Sequence, residues 1–359
     1  MRRRHTLCSI YSAMSNDKMK TPPVDAGPVH ADDFLQNLFQ RRHHARFLDP
    51  GTVYHVVSRV FQGRFLLSPN EELNAVINGV IGRGRHNWPK VEFFAHAFMS
   101  NHVHFMVRGP THEITQFIGH LKREISRRCS PMVEWDGGTF WDATYLATAL
   151  PTAESQEDCL KYILSQGVKE GLVEDPVDWP GVHCAARLFA KRQIFGEWFD
   201  GTAYGKAKYR EERRAEKKRR EINRADFITI YEVVLDTIPA WRALSELQRD
   251  QRLAAMRRDI IAEGRRLHKK VAGAEAVMKT SRETRSELPK LPWYEDRRRM
   301  VLWGSRKAAE SQDYLRRYWA FQKAFRVASE AFRSGDLAVE FPEGAFRPTS
   351  FAAPALLAA

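Results

Sequence analysis

Two rhythms of apolar and polar residues divide this chain into its elements. Residues 52–60, Thr-Val-Tyr-His-Val-Val-Ser-Arg-Val, are rich in β-branched and aromatic side chains and read as a first strand. From Asn70 to about Arg85 the period lengthens. Leu73, Val76, Ile77, Val80 and Ile81 fall on one helical face, with Pro69-Asn70 at the start and Gly82 and Gly84 at the end. Residues 91–99 are a largely apolar strand, and the short Ser100-Asn101 connection leads into another, His102-Val103-His104-Phe105-Met106-Val107. Residues 111–128 return to the helical period through Ile114, Phe117, Ile118, Leu121 and Ile125, and residues 143–150 form a fourth strand. Ser155-Gln156-Glu157-Asp158 opens a third helix in the manner of a capping box, and Gly171 stops it.

The order β-α-β-β-α-β predicts an α+β fold of the ferredoxin-like, split βαβ kind: an antiparallel sheet with helices on one face. The histidine strand is then central, and side chains on a strand alternate faces. His102, His104 and Met106 point one way, and Val103, Phe105 and Val107 point into a core. Two imidazoles at i and i+2 on a rigid strand are able to hold one divalent ion, although such a pair is also common as plain structure. The third helix is expected to cover this face. On that helix Leu160, Ile163, Leu164, Gly167 and Val168 gather on one side, while Tyr162, Gln166 and Lys169 line the other. The tyrosine is therefore presented rather than buried, and Gln166, one turn on, brings an amide oxygen towards whatever Tyr162 approaches. Taken alone, these are also the features of an ordinary surface helix.

Charge narrows the partner. Lys and Arg total 57 against 44 Asp and Glu, a net charge of +13 that favours a polyanion, with nucleic acid the default. Cys8, Cys129, Cys159 and Cys184 are scattered, with no Cys-x-x-Cys pair, and read as free thiols. No apolar run approaches the ~18 residues of a membrane span. The opening Met1-Arg2-Arg3-Arg4 is followed by residues too polar for a signal-peptide core, so a soluble, cytoplasmic protein is expected.

Residues 1–45 are polar and read as a mobile basic leader, residues 46–190 as the α+β domain, residues 191–342 as a mainly helical basic region expected to bind DNA, and residues 343–359 as a tail. In the basic region, 206–224 is dense in Lys and Arg, Pro289 and Pro292 break the helical pattern, and Trp303, Tyr314, Trp319, Phe321 and Phe325 are interspersed with cations. Aromatics among arginines are able to stack on bases, and equally to form a helical core.

Three ordered segments carry a resemblance. Residues 54–59, Tyr-His-Val-Val-Ser-Arg, residues 99–105, Met-Ser-Asn-His-Val-His-Phe, and residues 162–173, beginning Tyr-Ile-Leu-Ser-Gln-Gly, are similar to the REP-associated tyrosine transposases of the single-tyrosine HUH superfamily. The resemblance spans roughly residues 46–190 and includes Asp175-Pro176-Val177-Asp178-Trp179-Pro180. It departs at Gln166-Gly167, where the REP-associated group has Asn-Pro and the insertion-sequence branch has a ligating glutamine, and at Phe140-Trp141-Asp142, where relatives carry a Trp-Gln-Arg-type segment.

The resemblance implies an enzyme that nicks and rejoins single-stranded or hairpin DNA through a 5′-phosphotyrosine. Tyr162 is then the nucleophile, His102, His104 and Gln166 hold Mg²⁺ or Mn²⁺, and Arg59, Lys122, Arg123 and Lys169 are candidates for contacts to DNA. It implies a monomer, or a homodimer in which Tyr162 serves the partner's histidines. The alternative is a catalytically idle DNA- or RNA-hairpin binder that keeps the fold. A replication initiator or relaxase is disfavoured because the chain has neither a Walker-type loop nor a second tyrosine near Tyr162.

Overall fold

A computed structural model describes residues 45–142, 144–214, 220–287 and 301–347. The expected leader up to residue 44, Cys8, Ala143 at the expected start of the fourth strand, Pro289 and Pro292, and the tail from residue 348 lie outside the described residues. The chain runs β1 (Val53–Arg59), α1 (Glu71–Asn87), β2 (Glu92–Phe98), β3 (His102–Arg108), α2 (Thr111–Met132), β4 (Leu146–Leu150) and α3 (Ala153–Leu164). The strands form one antiparallel sheet in the order β2-β3-β1-β4, the expected arrangement with β3 and β1 central.

The period-2 alternation sorts side chains onto two cores. Tyr54, Val56, Phe93, Val103, Phe105 and Val107 pack against the aliphatic stripes of α1 and α2. On the other face, Val53, Ala95, Ala97, Met106 and Leu150 meet Cys159, Leu160, Ile163 and Leu164 of α3. Ala97 lies opposite His104 and Ala95 opposite Met106, so small residues on β2 leave room on the histidine face.

Several helix boundaries differ from expectation. Asn70 caps α1 by accepting from the Leu73 amide at 2.8 Å, but the helix runs through Gly82 and Gly84 to Asn87. Its glycines are packing sites rather than stops. A methyl group on Gly79 would collide with the Glu197 carbonyl, and one on Gly82 with Cβ of Tyr231. These partners belong to a two-stranded ribbon far along the chain. The third helix starts earlier than its acidic run suggested: Thr152 and Ser155 exchange the capping-box bonds, at 3.0 and 3.1 Å. It also ends earlier, at Leu164, because Gly167 adopts a left-handed φ of 86° and turns the chain.

Beyond residue 180 come α4 (Ala185–Ala190), β5 (Phe195–Phe199), α5 (Gly201–Glu212), β6 (Ile228–Glu232), α6 (Glu246–Leu267), α7 (Ala274–Met278), α8 (Arg282–Ser286) and α9 (Ala309–Arg333). The region is thus mainly helical but includes the β5–β6 ribbon, which packs on α1. It is built into the α+β core. Arg257 of α6 forms a two-nitrogen ion pair with Asp175, at 3.0 and 2.6 Å to Oδ2, and Arg252 pairs with Glu157 of α3 at 2.6 Å. Trp241 Nε1 donates to the same Glu157 at 2.9 Å. On the opposite side, α9 lies over Phe47 and Tyr54, and Gln322 exchanges two hydrogen bonds with the Ala45 backbone, at 2.9 and 2.7 Å.

Both sheet edges are covered. Phe98 N donates to Val182 O at 2.8 Å beside β2, and Ala149 N donates to Val301 O at 3.1 Å beside β4. Among the described residues no helix is long and apolar enough to cross a membrane, and Cys129, Cys159 and Cys184 are buried free thiols.

Candidate active site

The register of β1 against β3 assembles the site. Arg59 lies opposite His102, Val57 opposite His104 and His55 opposite Met106, so all share the face that α3 covers. The His55 and His104 rings stack, with centroids 5.1 Å apart, and His55 Nε2 and His104 Nδ1 are 3.0 Å apart. His102 Nδ1 lies 2.6 Å from Asn101 Oδ1, an acceptor that requires the imidazole proton at Nδ1 and leaves a lone pair at Nε2. Likewise, if His104 Nδ1–H donates to His55, the buried His104 Nε2 is left with a lone pair and no partner.

Burial is the main reason these imidazoles stay neutral. It lowers His55 to about 4, with Lys169 adding to the effect. It lowers His102 to about 3, helped by Arg59 and Lys169 and opposed by the Gln166 amide. His104 is held well below the usual histidine range by burial, then by its histidine neighbours and the same two cations. At neutral pH each ring is uncharged and keeps one unprotonated nitrogen able to ligate a metal.

Tyr162, in the last turn of α3, points onto this pair, and its ring stands edge-on to His104 at 5.5 Å and to His55 at 5.8 Å. After α3 the turn brings Gln166 back: its Nε2 donates to the Tyr162 carbonyl at 3.0 Å, while its Oε1 is buried and without a partner. Lys169 folds over the tyrosine, with Nζ 3.9 Å from the ring centroid, and also faces the buried Glu170 carboxylate at 3.5 Å. Glu170 accepts from the Gly167 amide, and burial pushes its carboxyl pKa upward.

Among the described residues no three His, Cys, Asp or Glu side chains form a metal cluster. The donor set is two imidazoles and an amide. Its fit to a divalent ion rests on His104 Nε2 and Gln166 Oε1, two buried polar atoms without partners, where such orphans are otherwise costly.

The sequence-derived residues divide into two groups. His102, His104, Tyr162, Gln166, Lys169 and Arg59 come together. Lys122 and Arg123 do not: they lie on α2, in the layer on the far side of the sheet. Lys122 Nζ sits 5.4 Å above the Trp141 ring, and burial together with Arg46 lowers its pKa to about 8. Arg123 pairs with Glu124 at 3.5 Å. Two participants were missed by periodicity and motif. His268, just past α6, places Nε2 2.8 Å from the Lys169 carbonyl oxygen. Trp303 packs against Tyr162 and His55, with centroids at 5.2 and 5.5 Å. No local signal singles out either residue, because each reaches the site through long-range packing.

Residues 51–166 match the profile of the family described as Transposase IS200 like. The match contains His102, His104 and Tyr162 and ends on Gln166. No curated protein matches the chain. Among solved structures, a REP-associated tyrosine transposase bound to a REP hairpin is 17% identical, with a TM-score of 0.36 over 42% of this chain and 86% of that one. A protein of Deinococcus radiodurans R1 described as a transposase is 21% identical, with a TM-score of 0.25 over 32% and 89% of the two chains. The segment similar to that family spans the β1–α3 core, with the ribbon and α6–α9 packed around it.

Proposed function

We propose that this transposase nicks and rejoins single-stranded DNA at hairpin elements, with Tyr162 as nucleophile, and that it belongs with the REP-associated tyrosine transposases its motifs resemble. The observation that carries the reading is the partly buried Tyr162 ring held against His104, beside the orphaned His104 Nε2 and Gln166 Oε1. Binding a hairpin requires none of these groups.

In the proposed reaction, Tyr162 Oη forms a bond to the scissile phosphorus and the P–O3′ bond breaks. The phenolic proton leaves to solvent and the departing 3′-oxygen takes one up. The 5′-phosphotyrosine conserves the phosphodiester, so a second 3′-hydroxyl rejoins strands by the reverse transesterification. His102, His104 and Gln166 would hold Mg²⁺ or Mn²⁺, supplying Lewis-acid polarisation of the phosphate. Arg59, at the mouth of the site, suits a non-bridging oxygen. Lys169 Nζ, 3.9 Å from the Tyr162 ring centroid, places a positive charge beside the attacking group.

The test is denaturing-gel cleavage of single-stranded hairpin DNA taken from beside the gene, with Mn²⁺ and with EDTA. Cleavage in Mn²⁺ alone, lost in Tyr162→Phe and in a His102→Ala/His104→Ala double variant, is expected. Tight hairpin binding without cleavage in any metal would instead establish an idle binder.

A further inference from the structure

The proposed nucleophile is held in part by a residue well outside the transposase match. After the α6–α8 segment the chain returns at Val301, Leu302 and Trp303 and lies along the outer edge of β4. Trp303 N donates to Ala149 O at 2.9 Å, Ala149 N donates to Val301 O at 3.1 Å, and Leu302 bridges Ala149 in parallel. Leu302 is buried in the α1–α2 core, which anchors this strap from one side of the sheet. Alternation then sends Trp303 to the other side, the histidine face. Gly304 follows with φ 88°, a backbone that favours glycine, and a side chain there would meet Cβ of Ser155 at 3.4 Å. The strap therefore passes close over the start of α3, and its position is fixed by backbone bonds, a buried leucine and a tight turn.

The consequence falls on Tyr162. Its ring meets His55 and His104 edge-on, carries Lys169 Nζ 3.9 Å from its centroid, and meets the Trp303 indole at 5.2 Å. A partly buried tyrosine at the end of a helix is not fixed by its backbone alone, because a side chain has several staggered χ1 wells. In-line attack on a phosphate needs one of them, and misplacement by about 1 Å is able to cost about 100-fold in rate. We infer that Trp303 is a positioning residue for the nucleophile: the C-terminal strap holds the Tyr162 ring over the histidine pair, so the transposase site is complete only when the strap is seated on β4. Trp303 also packs on His55, which bonds His104, and so braces both halves of the site. This inference rests on the proposed role of Tyr162.

The experiment uses the full chain and a single-stranded hairpin oligonucleotide with Mn²⁺. It compares wild type, Trp303→Ala, Trp303→Leu, Trp303→Phe and Tyr162→Phe. Cleavage is measured under single turnover as a function of enzyme concentration, and hairpin binding and thermal unfolding are measured alongside. The maximal cleavage rate is expected to fall about 10- to 100-fold in Trp303→Ala and Trp303→Leu. Half-saturation and hairpin binding should stay within about threefold, and Trp303→Phe should recover most of the rate because it restores an aromatic wall. Wild-type rates in Trp303→Ala, faster cleavage in it, or equal losses in the Leu and Phe variants would each overturn the inference; faster cleavage would mark the indole as a cover to be displaced. Loss of rate together with hairpin binding and with a melting transition lowered by several degrees, unrescued by Phe, would assign Trp303 to folding alone and overturn it too. If wild type itself forms no Tyr162-dependent product, the nicking reading fails first and this inference falls with it.

Discussion

At the level of single residues, His55 shows how an orienting partner shapes a site. Its Nε2 lies 3.0 Å from His104 Nδ1, on the ring whose Nε2 is buried and unpartnered. A metal-ligating imidazole is oriented by what its other nitrogen touches, and loss of such a partner typically weakens metal binding about 10- to 100-fold. Mn²⁺ affinity, followed by titration calorimetry or by the free-ion EPR signal, is expected to drop by that factor in His55→Phe. Gln166→Ala removes a donor atom outright and should weaken Mn²⁺ at least as much. Unchanged affinity in both variants would remove these residues from the metal site. The histidine pair on β3 was readable from alternation alone, because i and i+2 share a face whatever the surroundings. The role of His55 was not readable, because its meeting with His104 depends on the diagonal neighbour relation set by the β1–β3 register.

At the level of elements, the β-α-β-β-α-β order and the α3 cover were legible because each follows from a local period. Helix ends were misread where long-range packing overrides local chemistry. Gly82 has the look of a stop in sequence, yet it lies mid-helix because the β6 backbone at Tyr231 approaches there. Gly82→Ala is therefore expected to destabilise the protein by about 1–3 kcal/mol, despite the better helix propensity of alanine. Urea unfolding would check this, and an increase in stability would contradict the packing role. The contact between α6 and the turn that follows α3 makes a similar demand. Arg257 grips Asp175, whose side chain also caps the Pro176–Asp178 turn by accepting from Val177 N at 3.0 Å. Both partners are partly exposed, so Arg257→Ala should cost only about 1 kcal/mol. A change in cleavage rate larger than the change in stability would indicate that α6 steadies the tyrosine helix during catalysis.

On the scale of the whole molecule, the fold keeps several imidazoles out of water. Burial lowers His96 to about 3 and His183 to about 4, and His55, His102, His104 and His120 are lowered for the same leading reason. A histidine depressed in the folded state binds a proton only after unfolding, once the pH drops below its unfolded value near 6.5. Stability is therefore expected to be level above about pH 6.5 and to fall from there towards pH 4, by up to about 1.4 kcal/mol per pH unit for each such histidine. Urea midpoints at pH 7 and pH 5 in EDTA would test this, and a midpoint that does not fall would contradict it. The whole-molecule organisation was the least legible level. Charge correctly marked the second half as basic, but charge says nothing about where a segment docks. That 301–303 close the β4 edge, and that His268 and Trp303 reach the tyrosine segment, follow from tertiary packing with no periodic or motif signature.

The proposed nicking reaction requires Tyr162 to become covalently joined to DNA. The direct measurement is to incubate the protein with a 3′-labelled single-stranded hairpin oligonucleotide and Mn²⁺, denature it, and map any labelled peptide by mass spectrometry. The expected product is a peptide carrying a nucleotide 5′-phosphate on Tyr162, with no adduct in EDTA or in Tyr162→Phe. An adduct on another residue, or cleavage that persists without any adduct and survives Tyr162→Phe, would contradict it.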